Sequence, residues 1–560
     1  MAENKNKRRV AIACQGGGAH AAFTAGTLDR LLRFFSDQEH RDKYEIVAFS
    51  GTSGGAICAL LTWCALSKDN GEETLQQATV DRAIRELSSF WTEDNVAQWK
   101  PSDPINSGLD WLTSQYLAAW KQIRAAGAMV SGIDVSTEMN PYDWRWRGWG
   151  QHWRGRLKKM IEKRLKEINP EKKPPGRDLR LFIGAVNALT GEFWVFKSHK
   201  KKEGSNDFVF NEDEEDKISV DAVLASAAIP FIFEATRTGE AVYSDLSHRP
   251  DIRTYVDKGT YWDGLYSQNP PIRDLAETKP DEIWVIQIDP EEKSEEPETT
   301  ADIEDRRNEL SGNTSLNQEL YFVRKINELV KRLGKWEGSD PDIPRKELVV
   351  SEPDENEHGK AYKIIKVRRI EVSEPLDYFS KLDRSPTNIR GLIKHGHHQA
   401  EHFLKAVPSQ IAFEEAWEKA LRDAEGTEKD VDGVMDFFGE NPTIELVPPV
   451  DPSGEAPPME GWRTEGLGNV RKVLNWCLEN NLTIEQSRDY LVNEDQPGVK
   501  VVTCWVLATA DNFDTPIKGR ARVVVRGSKV EHFAFYPLSS KVMEKLKKEM
   551  KNLDKATVSG

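Results

Sequence analysis

Short apolar runs alternate with longer stretches of helical periodicity from Arg9 to about Leu404, the pattern of an α/β core whose strands are covered on both faces. Val10–Cys14 reads as a first strand, and Leu28, Leu31, Leu32 and Phe35 recur at helical spacing behind a glycine-rich turn. Ile46–Phe49 reads as a second strand, leading through Ser50-Gly51-Thr52-Ser53-Gly54-Gly55 into a helix over Ala56–Leu66. Leu179–Val186, Phe193–Phe196 and Ile283–Ile288 supply three more strands. The acidic stretches Asn211–Asp216 and Asp289–Asp305, and the Pro-punctuated Asp340–His358, read as solvated loops.

The pattern changes after Leu404. Phe413–Arg422 reads as a helix, Asp430–Phe438 as a short second one and Thr443–Val447 as a strand, followed by a Pro-rich loop. Val470, Val473, Leu474 and Cys477 mark a third helix. Val501–Ala508, Ala521–Val525 and Val530–Tyr536 form an antiparallel meander, and the Lys-rich tail from Lys541 reads as a terminal helix or a frayed end. Two domains follow, residues 9–404 and an α+β module over 410–540.

The charge balance removes one function class. Lys and Arg number 77 against 92 Asp and Glu, a net −15 over 560 residues, so a nucleic-acid binder working through bulk charge is excluded. The polar N-terminus runs straight into a strand, which predicts no signal peptide. The longest nearly apolar run, Ala56–Leu66, is too short to span a bilayer. Cys14, Cys58, Cys64, Cys477 and Cys504 sit in apolar runs without a Cys-x-x-Cys pair, as buried thiols of a reducing compartment do. The expectation is a cytoplasmic protein.

Three motifs carry chemistry. Gly51-Thr52-Ser53-Gly54-Gly55 is a G-x-S-x-G between strand and helix, a nucleophile elbow whose small residues permit a sharp turn that projects the Ser53 hydroxyl. The turn also sets Ser53 at a helix N-terminus, where partial positive charge favours a developing alkoxide. Gly16-Gly17-Gly18 follows the first strand and opens a helix, so its amides can approach an oxyanion closely. It lacks both the G-x-G-x-x-G spacing and a Walker lysine, which argues against a dinucleotide or phosphate loop. Tyr261-Trp262-Asp263-Gly264, preceded by Ala225-Ser226-Ala227-Ala228-Ile229-Pro230, offers either an ordinary turn or a general base. Asp263 could serve as base only if partial burial beside Tyr261 and Trp262 raised its pKa.

In this order (glycine run, G-x-S-x-G, Ala-Ser-Ala-Ala-Ile-Pro, Asp-Gly) the motifs resemble the patatin-like phospholipase family over Arg9 to about Leu404. The resemblance implies a three-layer α/β/α core and a Ser–Asp dyad, with Ser53 as nucleophile and Asp263 as base. It also implies an oxyanion hole from Gly16, Gly17 and Gly18, joined by Gly54, and hydrolysis of phospholipid or another acyl-ester lipid with no metal or other cofactor. Two positions depart from the family. His20 and Ala21 stand where Lys or Arg and then Gly are usual, and Leu265 follows Asp-Gly where a small residue is usual. These departures support a second reading, a lipid-binding scaffold or regulatory effector with residual hydrolysis. A third is hydrolysis of another ester or thioester, such as a storage polyester.

A rival Ser-His-Asp triad would draw on His395, His397, His398 or His402, of which His395, His398 and His402 share a helical face. A solvated helix end is the favoured reading over a triad or a metal site. Tyr142–Lys166 carries nine Lys or Arg, two acids and four Trp, a local +7. Trp144, Trp146 and Trp149 with Arg145 and Arg147 have the composition of a peripheral membrane anchor. Trp153, Leu157, Ile161 and Leu165 repeat instead like a helix packed on a core, and both readings stand. The C-terminal module resembles the nuclear transport factor 2-like superfamily through Asp430-Val431-Asp432-Gly433-Val434-Met435, Ile444-Glu445-Leu446-Val447, the helix from Gly466 and the meander. That resemblance implies a cone-shaped fold that holds a ligand or forms a homodimer.

Overall fold

The computed structural model describes residues 7–67, 75–94, 154–163, 179–201, 208–210, 217–230, 233–238, 242–243, 255–256, 259–293, 296–298, 300–337, 345–350, 360–373, 376, 381, 383–424, 431–449 and 460–556. Trp144, Arg145, Trp146, Arg147, Trp149 and the acidic stretch Asn211–Asp216 lie outside the described residues.

The chain begins with β1 (Arg8–Cys14), a turn, α1 (Ala21–Ser36), β2 (Tyr44–Gly51) and α2 (Ser53–Leu66). Next come α3 (Gln77–Ser89), β3 (Arg180–Asn187) and β4 (Phe193–Lys197). Helix α4 (Val220–Ser226) precedes β5 (Thr236–Arg237), β6 (Thr260–Asp263) and β7 (Glu282–Gln287). The long α5 (Thr300–Leu333) leads to a small sheet of β8 (Lys335–Glu337), β9 (Arg345–Val350) and β10 (Lys360–Lys363), then β11 (Lys366–Glu371) and α6 (Pro386–Ala424). The C-terminal part holds α7 (Asp432–Met435), β12 (Phe438–Leu446), β13 (Trp462–Glu465) and α8 (Leu467–Glu479). The meander β14 (Thr483–Gln496), β15 (Val499–Thr509), β16 (Ile517–Arg526) and β17 (Lys529–Pro537) follows, and α9 (Ser540–Ala556) closes the chain.

One 14-stranded sheet runs through the described residues in the order β13-β12-β17-β16-β15-β14-β11-β7-β1-β2-β3-β6-β5, with β4 on β3. Its N-terminal half is mostly parallel: β1 pairs with β2 and with β7, and β7 with β11. Winding starts at β1 and proceeds in both directions, so β1 is the switch point whose carboxyl end opens a crevice. Both faces are covered. Leu28, Leu31, Phe35, Phe49, Leu60 and Trp284 belong to one core, and Ala11, Ala13, Ile283, Val285, Leu316 and Leu320 to the other. Helix α2 is buried along its whole length except at Ser53, which is why its sequence is apolar all round.

The two halves of the sheet meet at a parallel ladder of only two pairs, Val367↔Gln486 and Arg368↔Ser487. A buried ionic cluster reinforces it. Arg368, 1% exposed, donates to Glu282 at 2.8 and 3.0 Å and to Glu414 at 2.8 and 3.3 Å, while Lys366 reaches Glu414 at 2.9 Å. Burial alone would drive these groups neutral, but their mutual attraction prevails. Glu414 is held down at about 2 and Glu282 below its ordinary value.

Several sequence expectations are corrected. Asp289–Asp305 is a solvated loop only in part: Glu292, Lys293, Glu296 and Glu298 are exposed, but Asp289 and Asp305 are buried against Lys381, each at 3.1 Å, and α5 already begins at Thr300. Part of Asp340–His358 is strand β9. The helix expected at Phe413–Arg422 is the end of α6, which runs unbroken, with Pro408 inside it, across residues 405–409 where the composition changes. Strand β14 was not read from the sequence, because its few apolar residues, Ile484, Leu491 and Val492, are interrupted by charged and polar ones.

Candidate active site

Strand register brings the three motifs to one level. Cys14 pairs with Gly51, and Gly51 with Ile183. Two residues beyond these stand Gly16, Ser53 and Ala185, and Ala185 pairs with Asp263 on β6. Residues far apart in the chain thus share the carboxyl edge of the sheet.

Ser53 sits at φ +53°, the left-handed region that a non-glycine residue adopts at a cost of roughly 1–3 kcal/mol. Its neighbours explain how the turn closes. A Cβ on Gly55 would lie 2.3 Å from the Cys14 carbonyl oxygen, and one on Gly16 would lie 2.8 Å from the Ser53 Cβ. The two glycine loops are packed backbone to backbone, as the elbow requires. The Ser53 amide donates to Ser226 Oγ at 3.0 Å, and Ser226 Oγ donates to the Gly184 carbonyl at 2.7 Å. Thr52 Oγ1 donates to the Gln268 carbonyl at 2.6 Å.

Asp263 is 1% exposed. Its amide donates to the Ala228 carbonyl at 3.0 Å, and its Oδ1 accepts the Leu265 amide at 2.9 Å. Oδ2 is buried with no hydrogen-bond partner. The Ser53 hydroxyl stands close enough to favour the charged carboxylate, though outside full hydrogen-bond geometry. Burial dominates over both hydrogen-bonding groups and pushes the carboxyl up to about 7. The condition that the sequence set on Asp263, a carboxyl raised by burial, is met.

Gly17, Gly18 and Gly54 gather beside Ser53. Gly18 has φ +58°, and a Cβ on Gly54 would lie 2.7 Å from both the Gly18 carbonyl oxygen and the Ala21 Cβ. Gly16 departs from expectation. Its amide donates to Asn269 Oδ1 at 2.7 Å, so it is engaged in holding the loop and is not positioned as an oxyanion donor. Behind the loop, Gln15 Oε1 accepts the amides of Ile288 and Asp289 at 2.7 and 2.8 Å. His20, where the family carries a cation, is buried. Desolvation and the nearby Lys381 lower it to about 3, so it is a neutral imidazole. Lys381 is itself disfavoured by burial, but Asp289 and Asp305 hold it charged, above the ordinary lysine range.

The histidines of α6 are engaged elsewhere. His395 Nε2 accepts from the Ser373 amide at 3.3 Å, His397 pairs with Asp29 at 3.0 Å, and His402 Nδ1 accepts the Val492 amide at 3.1 Å. His398 packs edge-on against His402. In the basic segment, residues 154–163 are helical, with Leu157 and Ile161 in the core. Arg154 donates to the Glu234 carbonyl and Thr236, and Arg156 to the Asp94 carbonyl. This stretch follows the packed-helix reading. The roles of Ser226, Asn269 and Gln15 were not read from sequence, although Ser226 lies in a motif that was noticed and Gln15 directly precedes the glycine run.

Comparison with known proteins bears on the same elements. Residues 12–276 match the family model described as patatin-like phospholipase. The match begins inside β1 and ends at Ala276, so it takes in Gly16, Ser53, Ser226 and Asp263, and it supports a lipid-hydrolysing esterase. It covers just under half of the chain. No curated protein matches the chain. Among solved structures, OCP1 of Fremyella diplosiphon aligns at 14% identity over 24% of this chain and 36% of its own, with a TM-score of 0.18. This chain therefore spans about a third of that protein. A member of the NTF2-like family from Streptomyces avermitilis aligns at 15% identity over 24% of this chain and 92% of its own, with a TM-score of 0.17. A designed protein with a curved β-sheet aligns at 13% identity over 26% and 97%, with a TM-score of 0.16. TM-scores this low carry no argument about the chain. Among the described residues, no helix is long and apolar enough to cross a membrane.

Proposed function

We propose that the patatin-like domain hydrolyses fatty-acyl esters of lipids through Ser53 and Asp263. Asp263 takes the hydroxyl proton as Ser53 Oγ attacks the ester carbonyl, and the oxyanion settles against the amides of Gly17, Gly18 and Gly54. Collapse expels the alcohol, which receives the proton from Asp263 and leaves an acyl-Ser53. Asp263 then deprotonates a water that attacks this ester, releasing the fatty acid and restoring Ser53.

The observation that carries the reading is the pairing of a nucleophile and a base of matched chemistry. Ser53 is held in a left-handed elbow, and the carboxyl beside it is buried and titrates near 7. A solvated aspartate would be too weak a base for a hydroxyl, and one titrating near the working pH is far better matched. No imidazole is needed between them. The test is incubation of the purified protein with a mixed lipid extract, measuring released fatty acid beside Ser53→Ala. Release by wild type with at least a thousandfold less from the variant is expected on general grounds for loss of a nucleophile. Equal release from both proteins would overturn the assignment.

A further inference from the structure

We propose that the solvent face of α5 is a docking surface for an anionic lipid bilayer. The inner side of this helix is accounted for, since Leu316, Leu320 and Val323 pack on the sheet with Ala11, Ala13, Ile283 and Val285. The outer side carries large apolar residues on either side of a short polar stretch, Thr314, Asn317 and Gln318. Ile303, Leu310, Tyr321, Phe322, Leu329 and Leu333 are 46–64% exposed, and Val349 and Val350 on the adjoining β9 are exposed beside them. Single exposed apolar residues are ordinary, but a row of six along one helix is not.

Charge says what covers the row. Among the described residues from Asp305 to Leu333 the exposed positions also include the neutral Thr314, Asn317 and Gln318, the cations Arg307 and Arg332, and no acid. Asp305, Glu309 and Glu319 are buried, and Glu328 is half-buried and paired with Lys325 at 2.8 Å. In a chain of net −15, a cationic and apolar face without an exposed acid runs against the composition. It complements a surface with negative headgroups over an apolar interior: the rings and branched chains enter the headgroup boundary while the guanidiniums meet phosphate.

The same helix reaches the catalytic crevice. A Cβ on Gly312 would lie 2.8 Å from Asn269 Nδ2, and Asn269 holds the Gly16 amide. Ser315 Oγ donates to the Ser267 carbonyl. The inner side of α5 thus touches the loop that holds the glycine run, while its outer face stays free for the bilayer. The purpose of docking rests on the lipid-ester reading, but the docking itself does not.

The experiment is cosedimentation of the full chain, carrying Ser53→Ala to prevent vesicle breakdown, with phosphatidylcholine vesicles containing or lacking phosphatidylglycerol. Binding to the anionic vesicles alone, weakening with salt, is expected. Phe322→Ser with Leu329→Ser and Leu333→Ser should lower the partition coefficient at least about tenfold, and Arg307→Gln with Arg332→Gln on the order of tenfold. The same substitutions in the Ser53 chain should leave turnover of a small soluble ester unchanged. If the apolar triple loses that turnover, the arginine pair decides. Vesicle binding equal to that of the parent in both variants overturns the proposal. So does light scattering that shows a dimer broken by the triple variant while vesicle binding is unaltered, since the face then meets a second copy. Variant-sensitive vesicle binding in a protein that hydrolyses no ester sustains the docking surface and removes the hydrolase reading; hydrolysis with variant-insensitive binding does the reverse.

Discussion

Ser226 Oγ accepts the Ser53 amide at 3.0 Å and donates to the Gly184 carbonyl at 2.7 Å, so one hydroxyl clamps the elbow to strand β3. Ser226 is fully buried, and the alanines around it leave no other group that could take its place. The next turn of the same segment supplies the Ala228 carbonyl that receives the Asp263 amide at 3.0 Å. A single stretch of chain therefore fixes the backbone of both the nucleophile and its base.

Ser226→Ala tests that coupling. It leaves the Ser53 amide and the Gly184 carbonyl buried without this partner, which should cost about 1–3 kcal/mol of stability. Because the elbow loses its tether while the substrate surface is untouched, kcat should fall on the order of tenfold or more with KM nearly unchanged. Steady-state kinetics on a soluble ester, read beside the unfolding midpoint, would check it. An unaltered kcat would remove Ser226 from the positioning machinery.

A second expectation concerns the joint between the two halves of the sheet. Arg368→Met removes the buried cation that Glu282 and Glu414 share and leaves each with one partner, Arg8 and Lys366, which should cost about 3 kcal/mol. A double-mutant cycle of Arg368→Met with Glu282→Gln should show strong coupling, since the two residues share one buried network. The joint also has a pH signature. Glu414 is held at about 2, so its stabilising share is complete above the ordinary carboxylate range and disappears as pH falls through about 2. Acid unfolding of Glu414→Gln should accordingly be shallower than that of wild type in this range.

The elbow, the glycine run and the Asp-Gly turn were legible because turn chemistry is local: only small residues close such loops, wherever the rest of the chain goes. The partners of those motifs were not legible. Gly16 meets Asn269 across 253 residues of sequence, and no spacing rule links the two. The acids at Asp289 and Asp305 looked solvated because their counter-charge, Lys381, lies far downstream. The continuity of the sheet through Arg368 was hidden for a similar reason. Its four neighbours in the cluster, Glu282, Glu414, Lys366 and Ser487, come from different elements, and charged residues in a sequence window read as surface. The burial of Asp263 was only a condition that the base role required, beside the alternative of an ordinary turn; in the fold Tyr261 is buried and Trp262 half-buried beside it.

The α6 histidines give a third prediction. His398→Ala with His402→Ala should leave ester turnover within about twofold of wild type, as should excess chelator, because the proposed steps use neither an imidazole nor a cation. His402 accepts the Val492 amide, so a modest loss of stability is the expected effect of the pair. Turnover abolished by chelation and restored by one particular metal would replace the dyad with metal-assisted hydrolysis.

Asp263 gives the last prediction, in which activity and stability move in opposite directions. The base must be ionised to act, so kcat/KM on a soluble ester should rise tenfold per pH unit below about 7 and level off above it. The same ionisation works against the fold. A carboxyl that titrates near 4 when solvated and near 7 when buried binds its proton more tightly in the folded chain. Stability is therefore highest below the unfolded value and declines as pH rises through the folded one. Holding the charge above pH 7 costs on the order of 4 kcal/mol relative to a solvated carboxylate. Asp263→Asn keeps the shape and removes the charge. It should lose nearly all turnover, at least about a hundredfold, yet unfold at a higher temperature than wild type at pH 8, with the difference vanishing toward pH 4. A double variant with Ser53→Ala should lose little more activity than either single one, because the two residues act in the same step. Parallel thermal melts at pH 4 and pH 8 decide the stability half. Equal midpoints for Asp263→Asn and wild type at both would mean that the carboxyl is not strained by burial, and the source of its basicity would have to lie elsewhere.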